Sequence, residues 1–248
     1  MSPLLLACAA PVAPEAFDDL TVFLFEQHPD DEAMAVGVEG LSAWLDATGE
    51  IEPDYSVSPL SEEGVDALDE LDHNTENLVG LAVVTRSTHS VEDAAWAMVG
   101  ADLLQVYPDL FLEYEMSFEG DPDCFLARAC PRLAGQEDIH SQFVLGIESY
   151  ARPYNQYLWV APESATAMVQ RNWLQEPPEV TSELIEVGEQ YYLNLFLDDS
   201  EGGFWRLQVT WMIYTNNALD EDFILTAAGN SMRDNSVALD SFLDENQP

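Results

Sequence analysis

The sequence predicts an α+β fold: a helical N-terminal half, then an antiparallel β-meander closed by a long C-terminal helix. Three observations carry this. Apolar residues recur at helical spacing over much of residues 15–118. Beyond Pro131 the period shortens to two, most clearly in two facing runs joined by a Gly-rich turn. After Asp220 a long helical stripe closes the chain.

Each element follows from local pattern. Phe17, Leu20, Leu24 and Phe25 predict a first helix ending near His28-Pro29. Met34, Val38, Leu41 and Leu45 predict a second, with Gly49 as its stop. A polar segment with Pro53 and Pro59 leads to an acidic helix from Glu62 to Leu71. Ser90-Val91-Glu92-Asp93 resembles a capping box opening a helix through Ala94, Trp96, Met98, Val99 and Leu103. Further helical turns are expected through Leu110 to Met116. Strands are expected around Phe143, Leu145 and Ile147, over Tyr154–Val160 and over Thr166–Leu174. Tyr191, Leu193, Leu195 and Leu197 alternate, Asp198 to Gly203 turn the chain, and Trp205, Leu207, Val209, Trp211 and Ile213 alternate in return. Asp220 then caps a helix striped by Ile224, Ala228, Ser231, Asn235, Ala238 and Phe242.

Charge narrows the function classes. The 248 residues carry 47 Asp and Glu against seven Arg and no Lys, a net charge of -40. Such a coat suits solubility in salt and opposes compaction by self-repulsion. The 47% hydrophobic content supplies a core that acidic disordered tails lack. Seven scattered arginines make no basic footprint, which excludes nucleic acid as a partner and disfavours anionic membrane surfaces. Without Lys there is no Schiff-base chemistry and no pyridoxal phosphate attachment. No P-loop, Gly-x-Gly-x-x-Gly or Gly-x-Ser-x-Gly is present, and no cofactor is expected. The carboxylates Asp66, Asp69, Glu70, Asp72 and Glu76 lack the EF-hand order, so they read as a solvated helix face.

The cysteines suggest a compartment. Cys124 and Cys130 sit on a turning stretch after Gly120-Asp121-Pro122, where a local disulfide is feasible; metal binding is the alternative, with neither a second pair nor a nearby His to complete a zinc signature. Leu4-Leu5-Leu6-Ala7-Cys8 resembles a bacterial lipobox. That resemblance implies lipidation of Cys8, a lipoprotein of the cell envelope or a secreted protein, and membrane contact only through the anchor. Ala9 to Pro14 then form a tether. The organisation is thus a lipobox-like segment and tether over 1–14 and one α+β domain over 15–248. That domain is helical over 15–118, with the sheet and closing helix over 136–246.

Two further resemblances bear on function. The paired strands 190–197 and 205–213, followed by the helix from Asp220, resemble the START-like helix-grip fold. In that family a curved antiparallel sheet wraps a C-terminal helix around an apolar cavity. His28-Pro29-Asp30-Asp31-Glu32 resembles the motif of the zinc-dependent de-N-acetylases of the PIG-L/LmbE family. By that likeness His28 and Asp31 would ligate zinc and Asp30 would act as the base. That reading requires a strand ending at Gln27. Read without it, Pro29 to Glu32 is the acidic start of a helix.

Trp159, Arg171, Trp173, Tyr191, Trp205, Arg206 and Trp211 make an aromatic cluster with two cations. They would line a pocket for an apolar or sugar-like ligand oriented by an arginine, or pack as core under the C-terminal helix. The leading reading is a non-enzymatic, acidic, envelope-anchored or secreted protein that binds a small apolar ligand or a partner protein. The rival is the zinc hydrolase.

Overall fold

The computed structural model describes residues 10–48, 51–71, 73–142, 147–162, 165–181, 185–216 and 221–246. The first half holds α1 (Phe17–Glu26), α2 (Asp31–Ala47), β1 (Tyr55–Val57), α3 (Glu62–Asp66), β2 (Val79–Ser87), α4 (Val91–Val99), α5 (Leu103–Val106), β3 (Phe111–Phe118) and α6 (Pro122–Leu126). The second half holds β4 (Arg132–Gln142), β5 (Glu148–Ala151), β6 (Pro153–Val160), β7 (Ala167–Leu174), β8 (Glu179–Val180), β9 (Ile185–Asp198), β10 (Phe204–Asn216) and α7 (Glu221–Glu245). The described strands join one antiparallel sheet in the order β1-β2-β10-β9-β7-β6-β4-β5-β8, with β3 also paired to β4. The architecture is α+β: helices at the N-terminus, a large antiparallel sheet, and a long C-terminal helix.

Local chemistry starts and stops these elements. Asp30 caps α2 by accepting from the backbone N–H groups of Glu32 and Ala33 at 2.9 and 3.0 Å. Ser90 and Asp93 form the full capping box of α4. The hairpin turns at Asp199, whose Oδ1 accepts from the N–H groups of Glu201 and Gly203, while Gly202 takes a φ of 92°. Its register then sets Trp205 opposite Leu197 and Trp211 opposite Tyr191.

The sheet is covered on both faces. Against one face lie α1 and α2, whose Leu20, Leu24, Phe25, Met34, Val38 and Leu41 meet Val169, Leu193, Leu195, Leu207, Val209 and Trp211. Against the other lie α4, α5, α6 and α7, with Phe125, Leu239, Phe242 and Leu243 meeting Tyr157, Trp159, Met168, Phe196 and Phe204. Strands buried on both faces lose the inward-outward alternation of a half-exposed sheet.

That loss explains one element the sequence reading missed. In β2, Leu81, Ala82, Val83 and Val84 are all buried, with no alternation to mark a strand. The helical turns expected through Leu110 to Met116 are instead strand β3, with Tyr114, Met116 and Phe118 half-buried between exposed Glu113, Glu115 and Ser117. The acidic helix is shorter than expected and ends at Asp66. Of the strand expected around Phe143, Leu145 and Ile147, the first two residues lie outside the described residues. The strand described here is β4, which ends at Gln142. Gly49, Asp72, Asp220 and the Cys8 segment also lie outside the described residues.

The N-terminal layer is keyed to the sheet by Trp211. Its indole donates to the Ser58 carbonyl at 2.9 Å and meets the edge of Phe25 at 5.3 Å between centroids. Gly80 stands opposite it on β2. A Cβ there would come within 2.5 Å of Val57 Cγ2 and 2.7 Å of Trp211 Cδ1. Gly80→Ala is therefore expected to destabilise the protein by about 1–3 kcal/mol through overpacking. Urea unfolding checks this, with Gly188→Ala, whose nearest neighbour is 3.8 Å away, as the near-neutral control.

Candidate functional site

The two faces of the central strands differ in chemistry. On the face under α1 and α2, Arg171 is the one fully buried polar strand side chain among the described residues, bonded to half-buried Gln156. The face under α7 carries a buried polar belt: Glu137 on β4, Asn155 on β6, Gln170 on β7, Asn194 on β9, and Arg206, Gln208 and Thr210 on β10. The sheet register sets it. Asn155 pairs with Asn172, Asn172 with Tyr192 and Tyr192 with Thr210, while in the next row Tyr157, Gln170, Asn194 and Gln208 pair in turn.

These side chains form a directed chain of hydrogen bonds. Arg206 Nε donates to Asn194 Oδ1 at 3.0 Å. Asn194 Nδ2 donates to Gln170 Oε1 at 3.2 Å. Gln170 Nε2 donates to Asn155 Oδ1 at 2.8 Å. Asn155 and the Tyr114 hydroxyl, the latter at 2.8 Å, both support the charged form of Glu137. A guanidinium at one end is thus linked to a carboxyl at the other through three amides pointing the same way. Aligned dipoles of this kind strengthen one another at low dielectric.

Helix α7 closes over the belt. Ser236 Oγ accepts from Arg206 Nη1 at 3.4 Å, Gln208 Nε2 at 3.0 Å and Thr85 Oγ1 at 3.0 Å. Arg206 Nη2 reaches the Tyr107 hydroxyl at 3.3 Å, and Tyr192 donates to Gln208 Oε1 at 2.7 Å. Thr210 Oγ1 is buried with no hydrogen-bond partner. Near the N-terminal half of α7 the burial relaxes: Ile224, Leu225, Ala227 and Ala228 are only half-buried, as are Asn172, Tyr192 and Met212 on the sheet.

The cations make the contrast explicit. Five arginines pair with carboxylates: Arg86 with Asp199 and Glu201, Arg128 with Glu92, Arg132 with Asp31, Arg152 with Asp138, and Arg233 with Asp54. Among the described residues Arg171 and Arg206, each 3% exposed, bond only neutral groups. Arg171 docks α1: it donates to the Phe25 carbonyl near the helix C-terminus at 3.0 Å and to Gln156 Oε1. Burial, and then Arg132, pull its pKa down to about 10.

The seven residues of the aromatic cluster divide between the faces. Arg171, Trp173, Tyr191, Trp205 and Trp211 lie under the N-terminal helices, whereas Trp159 and Arg206 lie on the side of α7. No single pocket contains all seven. The alternative reading of the cluster as core under the C-terminal helix is corrected in the same way, because Trp205 and Trp211 face α1 and α2. Of the seven, only Arg206 belongs to the polar belt. The disulfide Cys124–Cys130 is formed. It closes a loop on which Arg128 sits over the Trp159 ring at 4.4 Å and the Phe125 carbonyl accepts from Trp159 Nε1 at 2.9 Å.

The deacetylase motif lacks the setting it requires. The chain before His28 is helix α1, not a strand, and Asp30 is occupied as the cap of α2. His28 is sealed in the interior, while Asp31 is exposed and paired with Arg132. Among the described residues no group of three His, Cys, Asp or Glu is placed to hold a metal. These residues do not fit zinc. Neither ring nitrogen of His28 makes a well-formed hydrogen bond, and a weaker interaction with the Val169 backbone opposes the fall in its pKa. Burial first, then Arg171 and Arg132, drive its pKa well down and keep it neutral.

No protein-family model matches the chain, and no curated protein is similar to it in sequence. Among solved structures it is similar to Ara h 8.0201, at 13% identity and a TM-score of 0.43, over 68% of this chain and 100% of the other. It is also similar to a fragment of a STAR-related lipid transfer protein from Xanthomonas axonopodis, at 10% identity and a TM-score of 0.47, over 70% and 97%. A START superfamily protein from Mycobacterium smegmatis gives 9% identity and a TM-score of 0.41 over 67% and 97%.

Glu137 makes the belt sensitive to pH. Burial lifts its pKa from 4.5 to about 7, against the opposing hydrogen bonds from Tyr114 and Asn155. The folded state therefore holds this proton more tightly than the unfolded chain. The group's stabilising contribution is complete below pH 4.5 and is lost as pH rises to about 7. Above that range the ionised form costs on the order of 3 kcal/mol. Glu137→Gln is expected to be more stable than the parent near pH 8, with the gain vanishing near pH 4.5. Urea unfolding of both proteins at the two pH values checks the sign.

Proposed function

We propose that this chain is a non-enzymatic binding protein whose interior, between the sheet and α7, takes a small amphipathic ligand. The observation that carries the reading is the polarity of one buried face. A sheet covered on both sides is cheapest when both faces are apolar, as the α1–α2 face nearly is. Placing Glu137, Asn155, Gln170, Asn194, Arg206, Gln208 and Thr210 on the other costs desolvation. A packed core gains little from that cost, whereas a site that fixes a ligand's polar end requires it. Asn172, Tyr192 and the N-terminal half of α7 are half-buried rather than sealed, and that is the side from which a ligand would approach the belt.

The place of action is part of the same proposal. The Cys124–Cys130 bridge fits an oxidising compartment, and the remaining Cys8 is the residue a lipobox would modify. We read the protein as a lipoprotein of the cell envelope, or a secreted form of it, whose acidic coat serves solubility in salt. Pairing of five arginines with carboxylates leaves little cationic surface for nucleic acid.

Native mass spectrometry of the full chain made in its own host tests both parts. The expected spectrum shows acylated Cys8 and a co-purifying amphiphile. Gly229→Phe should expel the amphiphile, because a side chain at Gly229 extends from α7 toward Leu81 on β2, beside the Arg233 guanidinium. A bound zinc ion would revive the hydrolase. A bare polypeptide from the same host would sink the binding reading.

A further inference from the structure

The belt also indicates which polar group a ligand brings, an inference that rests on the interior being the binding site. Of the described side chains, His28 and Thr210 alone have buried polar atoms without partners. His28 lies on the dry face. Thr210 is 3% exposed and lies in the belt. An orphaned buried hydroxyl is costly to retain, and here neither of its register partners satisfies it. Its register partners are Tyr192 on β9 and Leu81 on β2. The Tyr192 hydroxyl is committed to Gln208, and Leu81 has nothing to offer. Beyond Tyr192 the row continues through half-buried Asn172 to fully buried Asn155.

The charge of the missing partner follows from the two ends of the amide chain. Arg206, two positions up the same face of β10, has its three nitrogens engaged by Asn194, Ser236 and Tyr107. It repels a cation and is not presented to an incoming anion. Glu137, four strands away on the same face, adds repulsion to an anion once ionised, and Arg233, which lies beside Gly229 on α7, is already engaged by Asp54, Asn230 and the Pro53 carbonyl. A hydroxyl such as Thr210 Oγ1 both donates and accepts. We infer that Thr210 is the anchor for an uncharged oxygen, the hydroxyl or carbonyl of an amphiphile, and that the site selects such a head group over a carboxylate on the same chain.

The test is calorimetric titration of the full chain with n-decanol and with decanoate near pH 8, for the parent, Thr210→Val and Gly229→Phe. The parent is expected to bind n-decanol about tenfold or more tightly than decanoate. Thr210→Val should weaken n-decanol about tenfold while its Tm stays equal or rises, because the orphaned hydroxyl is gone. Gly229→Phe should abolish binding of both. If Thr210→Val binds n-decanol like the parent while Gly229→Phe does not, the anchor is wrong and the interior site stands. If decanoate binds as tightly as n-decanol, the head-group selection is overturned. If Gly229→Phe, still folded, binds as the parent does, or nothing binds the parent, the interior reading itself fails.

Discussion

A buried guanidinium with no carboxylate beside it is the constraint around which this structure is arranged. Arg206 stands on the central strand pair, and removing a cation from water costs several kcal/mol unless something stabilises the charge. The stabilisation comes from dipoles. Three amides on three successive strands each accept from the arginine side and donate onward, until Asn155 meets Glu137 on β4. The two charges sit four strand spacings apart, roughly 19 Å. The arrangement depends on register: a one-residue slip of any strand would turn its amide to the dry face and break the sequence.

The same alternation separates two kinds of interior. Arg171 and Gln156 aside, the central strands send mainly Leu, Val and aromatic side chains to α1 and α2, and set Asn, Gln, Arg and Thr among the side chains facing α7. The first interface is a conventional core, anchored by Trp211 and by Arg171 at the end of α1. The second is held by hydrogen bonds from sheet to helix through Ser236 and the Met232 carbonyl, and by an apolar cluster confined to the C-terminal part of α7. The N-terminal part of α7, with exposed Phe223, has fewer buried apolar contacts. By the ordinary rule that openings follow low contact density, this is the part of α7 expected to open most readily.

Much of the fold was legible in the sequence. The period-two runs of β9 and β10, the capping box of α4 and the apolar stripes of α1 and α2 all have strong local signals, and each formed where its pattern put it. β2 was not legible because a strand buried on both faces loses its alternation. β3 had the alternation, but it sits inside a helical stretch whose pattern dominated the reading. The site was less legible. Of the seven residues in the aromatic cluster, five lie on the dry face. The usable signal was compositional. In a chain with 47 acidic residues, solvent-facing strand positions carry Asp and Glu, as Glu113 and Glu115 do on β3. The intervening belt positions of β6, β7, β9 and β10 carry amides, hydroxyls and one arginine but no carboxylate, and that departure marks them as interior. The pairing of Arg206 with Glu137 had no sequence signal, because it exists only through the order of strands in the sheet.

The claim that Arg206 and Glu137 communicate through the amides is tested most directly at the middle of the chain. Gln170→Leu keeps the volume and changes no charge, but it cuts the sequence of hydrogen bonds two strands from Glu137. The measurement is a carboxyl-carbon NMR titration of Glu137 in the parent and in this variant. If the chain carries the arginine's influence, loss of Gln170 removes support from the ionised carboxylate and its midpoint moves up from about 7. An unchanged midpoint in a folded Gln170→Leu protein would mean that the amides are separate contacts and that the two charges are independent.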